Sequence, residues 1–387
     1  MKTNLKLLIL LLSSNCFAQL KLEAVVVDSI GREPIEFVGV YNNKNHTMTN
    51  EDGRFSFSSV LDTIVFSCPG YEKLKTTFAQ IKDTVYLQKS ILELDEVIVT
   101  NSKSALQKVL DSTRKNYAFE PYKERFLIRA LAKKDGKIWR IQDIKGKLAR
   151  KRLFLSKNTE KTKNDYVVEV THMRKQGLVN DENNAYLIFP SFTQIFNATI
   201  DVHIDESKFD IKELTFENGK KIRLEFKSFP EEKIKNISGY YIIDAASYAI
   251  EAYYIKSIPK NAPFKANKWL RYRDTFLEKH IIFQKHPETN QYYISSAKVN
   301  NRVETTNEEK SFNLVYDLNT IITTSNNFGG FNVKKNVHAK RDLFKIKFPY
   351  EAAYWNSQND LLLTDEMLEF IEKSESNTEF KVKSNLE

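Results

Sequence analysis

TMTNEDGRFSFSSV, residues 47–60, sets Asp52-Gly53 between two strand-like runs. Asp-Gly signals a tight turn, because glycine enters positive φ without steric cost. Beyond it Phe55 and Phe57 share one face, the two-residue alternation of a half-buried strand. Runs of the same kind lie on both sides: KLEAVVVD (21–28) before a turn at Asp28-Ser29-Ile30-Gly31, PIEFVGVYNN (34–43), DTIVFSCPGYEKLKTTF (62–78) and DTVYLQ (83–88). Short alternating runs punctuated by turn residues predict a small β-sandwich from Leu20 to Leu87. Glu51 and Asp52 read as solvated turn acids, since a calcium site needs about six or more oxygens from a defined loop.

Composition bounds the rest. The 387 residues are 41% hydrophobic and 28% charged, enough for two domains with cores of their own. With 26 Phe and 18 Tyr against 11 Gly and 9 Pro, the bias is towards long antiparallel strands. Residues 1–18 read as a signal peptide: Lys2 and Lys6 precede the apolar run Leu7 to Leu12, and Cys16-Phe17-Ala18 offers a small-x-small cleavage site. Cys16 also admits a lipid anchor, although Asn15 is a poor residue before it. No later run approaches the roughly 18 apolar residues of a membrane-spanning helix, so an exported chain, periplasmic or peripheral at an outer membrane, is expected. After signal removal Cys68 stands alone, a small core residue without a disulfide partner.

The formal charge of +9 falls to +7 when Lys2 and Lys6 leave. Residues 102–175 hold 21 Lys and Arg against 8 Asp and Glu, a segment that could meet anionic lipid or lipopolysaccharide or simply form a solvated face of mixed strands. Nucleic acid is not an expected partner for an exported chain.

The pieces VVVDSIGREPIEFVGVY (25–41), TMTNEDGRFSFSSV, TIVFSCPGYEKLKTTF (63–78) and the closing LDEVIVT (94–100) resemble the carboxypeptidase regulatory-like domain, a transthyretin-like seven-stranded sandwich. Glu36 departs from the small or apolar residue more common in that family. The resemblance implies a folding or docking module without catalytic groups. LDEVIVT is also similar to the junction where TonB-dependent receptors enter plug and barrel. A transporter barrel of about 22 strands at roughly ten residues each, with its plug, needs well over about 400 residues, whereas 387 − 100 = 287 follow Thr100. The module is therefore expected to precede something else. The expected organisation is signal peptide 1–18, sandwich 19–88, a last strand or linker 89–103, and a second domain 104–387.

That second domain opens with SKSALQKVLDSTRKNY (102–117), a helix with Ala105 or Leu106, Val109, Leu110 and Thr113 on one side and Ser102 or Ser104 as N-cap. About nine strand-like runs follow, from RFLIRALAK (125–133) through TIDVHIDES (199–207) to SFNLVYDLNTIITT (311–324), before a helical tail TDEMLEFIEKSE (364–375). The whole chain is expected to be mainly β: a seven-stranded sandwich plus an α+β domain on a large curved antiparallel sheet. The order of these segments resembles a group of Gram-negative envelope proteins that carry the regulatory-like domain. The hairpin GYYIID…SYAIEAYY (239–254) is similar to strands of outer-membrane lipoprotein carrier proteins, whose half-barrel holds acyl chains.

Catalytic patterns are mostly missing. His203-Ile204-Asp205-Glu206 has the H-x-x-E spacing of a zinc site, with His338 far downstream, but positions i and i+3 of a strand point to opposite faces. No Gly-x-Ser-x-Gly, P-loop, glycine triplet or cysteine pair occurs. No catalytic residue, metal ligand or cofactor is expected. YLIFPSFTQIF (186–196) gathers large apolar residues around Pro190, either as the lining of a hydrophobic ligand site or as a loop tucked into the core. The candidate ligand-binding residues are Tyr186, Phe189, Phe192, Phe196, Tyr253 and Trp269. The expected function is a non-enzymatic envelope binding protein, with an envelope protein or a lipid as partner. The alternatives are a protein-docking module without small ligand and a metal-dependent hydrolase.

Overall fold

The first compact unit comprises residues 1–90 with 358–364, and the second 91–357 with 365–387. The computed structural model describes residues 20–90, 104–117, 121–150, 166–177, 189–200, 202–231, 234–266, 270–286, 288–307, 312–324 and 330–376. The expected signal peptide lies outside these.

In the first unit the alternation builds β1 (Leu20–Asp28), β2 (Gly39–Tyr41), β3 (His46–Met48), β4 (Arg54–Ser59), β5 (Thr63–Ser67), β6 (Leu74–Thr77) and β7 (Thr84–Leu87). They form two sheets, β4-β1-β7 and β3-β2-β5-β6, the seven strands expected. Val26, Phe55, Phe57, Val85 and Leu87 from one sheet meet Val38, Val40, Ile64 and Phe66 from the other. Phe55 and Phe66 pack edge to face at 5.4 Å. The Asp52-Gly53 turn forms, but it passes the chain from one sheet to the other instead of closing a hairpin. Asn50 Oδ1 accepts from the Asp52 and Arg54 N–H groups at 3.0 and 2.9 Å. Gly53 sits at φ 71°, and a Cβ there would lie 2.6 Å from the Val26 carbonyl. Cys68 is buried, and burial pushes its thiol up to about 12. Residues 358–364 complete the unit: the Asp360 carbonyl accepts from Thr47 Oγ1 at 2.5 Å and that of Leu363 from Asn50 Nδ2 at 3.1 Å.

The second unit contains α1 (Ala105–Asn116), β8 (Tyr122–Lys134), β9 (Lys137–Arg150), β10 (Tyr166–Gly177), α2 (Phe192–Ile200), β11 (Phe209–Phe216), β12 (Lys221–Ser228), β13 (Lys235–Asp244), β14 (Ile250–Pro259), β15 (Lys265–Ala266), β16 (Arg271–Lys285), β17 (Tyr292–Asn307), β18 (Phe312–Thr324), α3 (Ala352–Ser357) and α4 (Asp365–Ser376). Its sheet runs β10-β9-β8-β18-β17-β16-β14-β13-β12-β11, with β15 paired to β16, eleven strands in all. Every pairing is antiparallel. Short hairpins make most of it, but the join of β18 to β8, with Phe126 opposite Thr324, links residues far apart in sequence.

One face of this sheet is covered by α1 and α2. Ser104 caps α1 by accepting from the Gln107 N–H at 3.1 Å, and Ala105, Leu106, Val109, Thr113 and Asn116 turn inward. Leu110, expected on that side, is 42% exposed: at 100° per residue it lies a position past the Val109 stripe. TIDVHIDES is not a strand. Its first residues finish α2, the middle is irregular, and Glu206–Lys208 form a 3-10 turn leading into β11. Pro190 stops the chain two residues before α2 begins, so the apolar stretch becomes a buried helix.

Two glycines let the covered face close. Gly146 opposes Phe126 and Gly239 opposes Phe226 across paired strands. Each aromatic ring occupies the space a Cβ would need, at 2.7 and 2.5 Å. The opposite face, from β12 to β18, carries ion pairs such as Arg273–Glu304 at 2.6 Å and Arg302–Asp317 at 2.6 Å. Over β9 and β10 it also carries α3: the Tyr354 ring stacks on His172 at 3.6 Å and Trp355 lies under Arg174 at 4.8 Å.

Candidate functional site

The sequence-predicted aromatic residues fall in the core of the second unit. Phe192 and Phe196 on α2 both meet the Phe126 ring, at 5.7 and 5.5 Å. Phe189 stacks on Phe344 at 5.4 Å. Tyr253 packs with Phe226 and Tyr241 on the strands of the same core. Phe189, Phe192, Phe196 and Tyr253 are each at most 2% exposed. Tyr186 and Trp269 lie outside the described residues. The structure therefore places all four in one apolar core and opens none of them to solvent.

Glu206 Oε1 accepts from Ser104 Oγ at 2.6 Å, beside the start of α1. Among the described residues no group of three or more His, Cys, Asp or Glu side chains is placed to hold a metal ion.

Several of the basic residues of 102–175 are paired or stacked within the sheet. Asp143, fully buried, accepts from Arg129 Nε at 2.8 Å and Arg174 Nε at 2.7 Å. Burial by itself would raise the Asp143 carboxyl, and the two guanidinium groups more than offset it, so it lies below the usual carboxylate range. Glu124 pairs with Arg150 on the helix-covered face, where burial raises the Glu124 carboxyl against the pull of that arginine. Lys147 pairs with Glu169 at 3.0 Å and Lys133 with Glu366 at 2.6 Å. Arg140 is sandwiched between the Trp139 and Phe344 rings at 3.8 and 4.7 Å, and burial lowers it to about 10.

Exposed cations also gather in FNVKKNVHAKRDLFKIKF (331–348), which holds six Lys and Arg and one acid, Asp342. Here Lys335, Asn336, Val337, His338, Arg341, Ile346 and Lys347 line a cleft of about 360 Å³. Lys335, His338, Arg341 and Lys347 are exposed. None of Lys335, Arg341 and Lys347 has a carboxylate partner among the described residues.

Unpaired cations in an irregular segment need a rigid support to act together, and the segment has one. Asn336 behaves as an extra strand residue against the edge of β10. Its Oδ1 accepts from the Val170 N–H and its Nδ2 donates to the Val170 carbonyl, both at 2.8 Å. Further along, the Thr193 N–H donates to the Ala339 carbonyl at 2.9 Å and Leu343 donates to the Pro190 carbonyl at 3.4 Å, tying the segment to α2. Lys175 Nζ donates to the Phe344 and Ile346 carbonyls at 3.1 and 2.7 Å, and Gln142 to that of Leu343 at 2.9 Å. Asp342 is turned to backbone duty, accepting from Phe344 at 2.8 Å and Phe189 at 3.2 Å, while burial raises its carboxyl. The single acid of the segment is thus drawn into the fold while its cations face water.

His338 Nδ1 accepts from the Lys340 N–H at 3.2 Å. That leaves Nε2 as the donor facing outward. Three cations, an imidazole donor and a half-buried Val337 make a cleft suited to an anion with an apolar neighbour. Sequence reasoning weighted the charge of 102–175 and passed over this segment, although its run of six cations around one acid was visible.

Comparison with known proteins bears on the first unit. Residues 23–99 match the family model of the CarboxypepD_reg-like domain. The amino-terminal sandwich is a domain of that family. No curated protein matches the chain in sequence. Two solved structures are similar to it at low scores. A lipovitellin structure, described as lipid–protein interactions in lipovitellin, has a TM-score of 0.25 and 10% identity over 64% of this chain. The chain spans 30% of that protein's length. MucB in complex with MucA(peri) has a TM-score of 0.15 and 9% identity over 57% of this chain and 93% of the other. Among the described residues no helix is long and apolar enough to cross a membrane.

Proposed function

We propose that the protein is a non-enzymatic, exported binding protein of the cell envelope, and that it holds an anionic, phosphate-bearing component of that envelope in the cleft of residues 335–347. The observation that carries this reading is the set of solvent-facing cations, Lys335, Arg341 and Lys347, on a segment pinned to β10 and α2. A planar guanidinium and two ammonium groups around one cleft provide charge-assisted donors for phosphoryl oxygens. Phe189, Phe192 and Phe196 act one layer down in this reading: they support the segment whose basic side chains meet the ligand. The sandwich contributes no catalytic group, in keeping with a regulatory module, and serves as a docking element within the envelope.

Isothermal titration of the protein at low ionic strength, with glycerol phosphate and inorganic phosphate as ligands and glycerol as the neutral control, tests the reading. Binding of the phosphates but not of glycerol, abolished by Lys335→Gln together with Arg341→Gln, is the expected result. Preference for glycerol phosphate over inorganic phosphate would indicate a headgroup, and equal binding a free phosphate. A protein that takes up neither phosphate removes the proposal.

A further inference from the structure

Away from the cleft, one end of the large sheet presents apolar side chains to solvent. Phe229, Ile234 and Ile258 are 41%, 69% and 40% exposed. They are neighbours in space. Phe229 and Ile234 flank the turn between β12 and β13, Ile258 lies opposite Asn236 on the adjoining strand, and the Lys260 N–H donates to the Ile234 carbonyl at 2.9 Å. A single exposed leucine or isoleucine is ordinary on a protein surface; three on adjoining strand ends form a patch.

The charge at these strand ends is mainly positive, with Asp210 opposite Lys227 and Glu278 opposite Lys256 on the adjoining strands. Lys227, Lys235, Lys256, Lys260 and Lys265 belong to the same strand ends, against Glu231 as the described acid of the turn. Lys227, Lys235 and Lys265 are exposed, and no described carboxylate pairs with them. Arg271 and Arg273 lie over Phe264 in the next loop at 5.4 and 4.6 Å, with Arg273 paired to Glu304.

Two kinds of surface could cover such a patch, and the lysines decide between them. The buried centres of protein–protein interfaces are depleted in lysine, because each ammonium must be stripped of water. At an anionic bilayer the same lysines stay hydrated among phosphates while the apolar side chains enter the acyl boundary. We propose that this hairpin end seats the protein on an anionic lipid bilayer, with Phe229, Ile234 and Ile258 inserted and the surrounding lysines at the headgroups. The proposal goes beyond the cleft and does not depend on it.

Flotation of the full chain with vesicles of phosphatidylcholine containing phosphatidylglycerol, set against phosphatidylcholine alone, is the experiment. The wild type is expected to float with the anionic vesicles only. The double variant Phe229→Ser with Ile234→Ser is expected to lose at least about tenfold in partitioning, and so is Lys227→Gln with Lys235→Gln. Both variants alter exposed side chains, so unchanged circular dichroism and melting temperature are expected. Ile30→Ser, at an exposed apolar residue of the first unit, is expected to float as the wild type does. A wild type that stays with neither vesicle overturns the proposal, as does undiminished flotation of the hairpin variants. Flotation lost in the cleft variant but kept in the hairpin variants would move membrane contact to the cleft and also overturn it.

Discussion

Asp28 and Asp143 show how differently two buried acids can be held. Asp28 Oδ1 accepts from the Ile30 and Gly31 N–H groups at 2.9 and 2.6 Å, and Oδ2 from Tyr71 Oη at 3.2 Å. The backbone donors hold its carboxyl down to about 2, from an ordinary 3.8. A depressed folded-state pKa contributes stability that is complete above the unfolded value and is lost as the pH falls through the folded one. Wild-type unfolding free energy should therefore drop between pH 4 and pH 2 more steeply than that of Asp28→Asn, as read from urea melts across that range. Asp143 depends on paired guanidinium groups instead. Asp143→Ala removes the carboxylate that Arg129 and Arg174 share inside the protein, and denaturant titration should show a loss of about 3–5 kcal/mol. A loss below about 1 kcal/mol would mean that water reaches the arginines in the wild type and that the pair is weaker than its burial indicates.

At the scale of elements, the edge of β10 is where structure and proposed function meet. An unpaired strand edge exposes a row of backbone donors and acceptors, and proteins cover such edges to prevent pairing with other chains. Asn336 provides part of that cover with one side-chain amide, and in doing so it fixes the segment that lines the cleft. Asn336→Ala removes both hydrogen bonds. Hydrogen exchange should then accelerate at the Val170 amide and across residues 334–341, while the amides of β8 keep their protection. If exchange at Val170 were unchanged, the segment would be held by its ties to α2 and the role given to Asn336 would fail. The α2 end of the segment rests on Thr193 and Pro190, so the apolar stretch around Pro190 supports the cleft without touching its solvent side.

For the whole molecule, a formal charge of +9 says that the surface favours anions, and position decides where. Interactions between exposed charges are screened beyond a Debye length of about 8 Å at physiological ionic strength. Raising salt from about 10 mM to about 150 mM should weaken phosphate binding by the wild type severalfold in titration calorimetry. Any residual binding by Lys335→Gln with Arg341→Gln should respond less steeply. A salt-independent affinity would place recognition in the apolar wall of the cleft instead. What the sequence determined was whatever depends on neighbours along the chain: the two-residue alternation around Phe55 and Phe57, the turn at Gly53, the α1 stripe with its Ser104 cap, and the long antiparallel runs that make the protein mainly β. These are local because a strand's faces and a helix's cap are set within a few residues. Tertiary structure alone decided which basic residues were spent. Arg129, Arg174 and Arg150 look like surface charge in the sequence, yet they meet Asp143 and Glu124 across paired strands, while Lys335 and Arg341 meet no acid among the described residues. It also decided that the run around Phe192 is a buried helix and that the Asp52-Gly53 turn joins two sheets. Those outcomes depend on which distant strand or face each residue meets, and burial can reverse what local propensity favours.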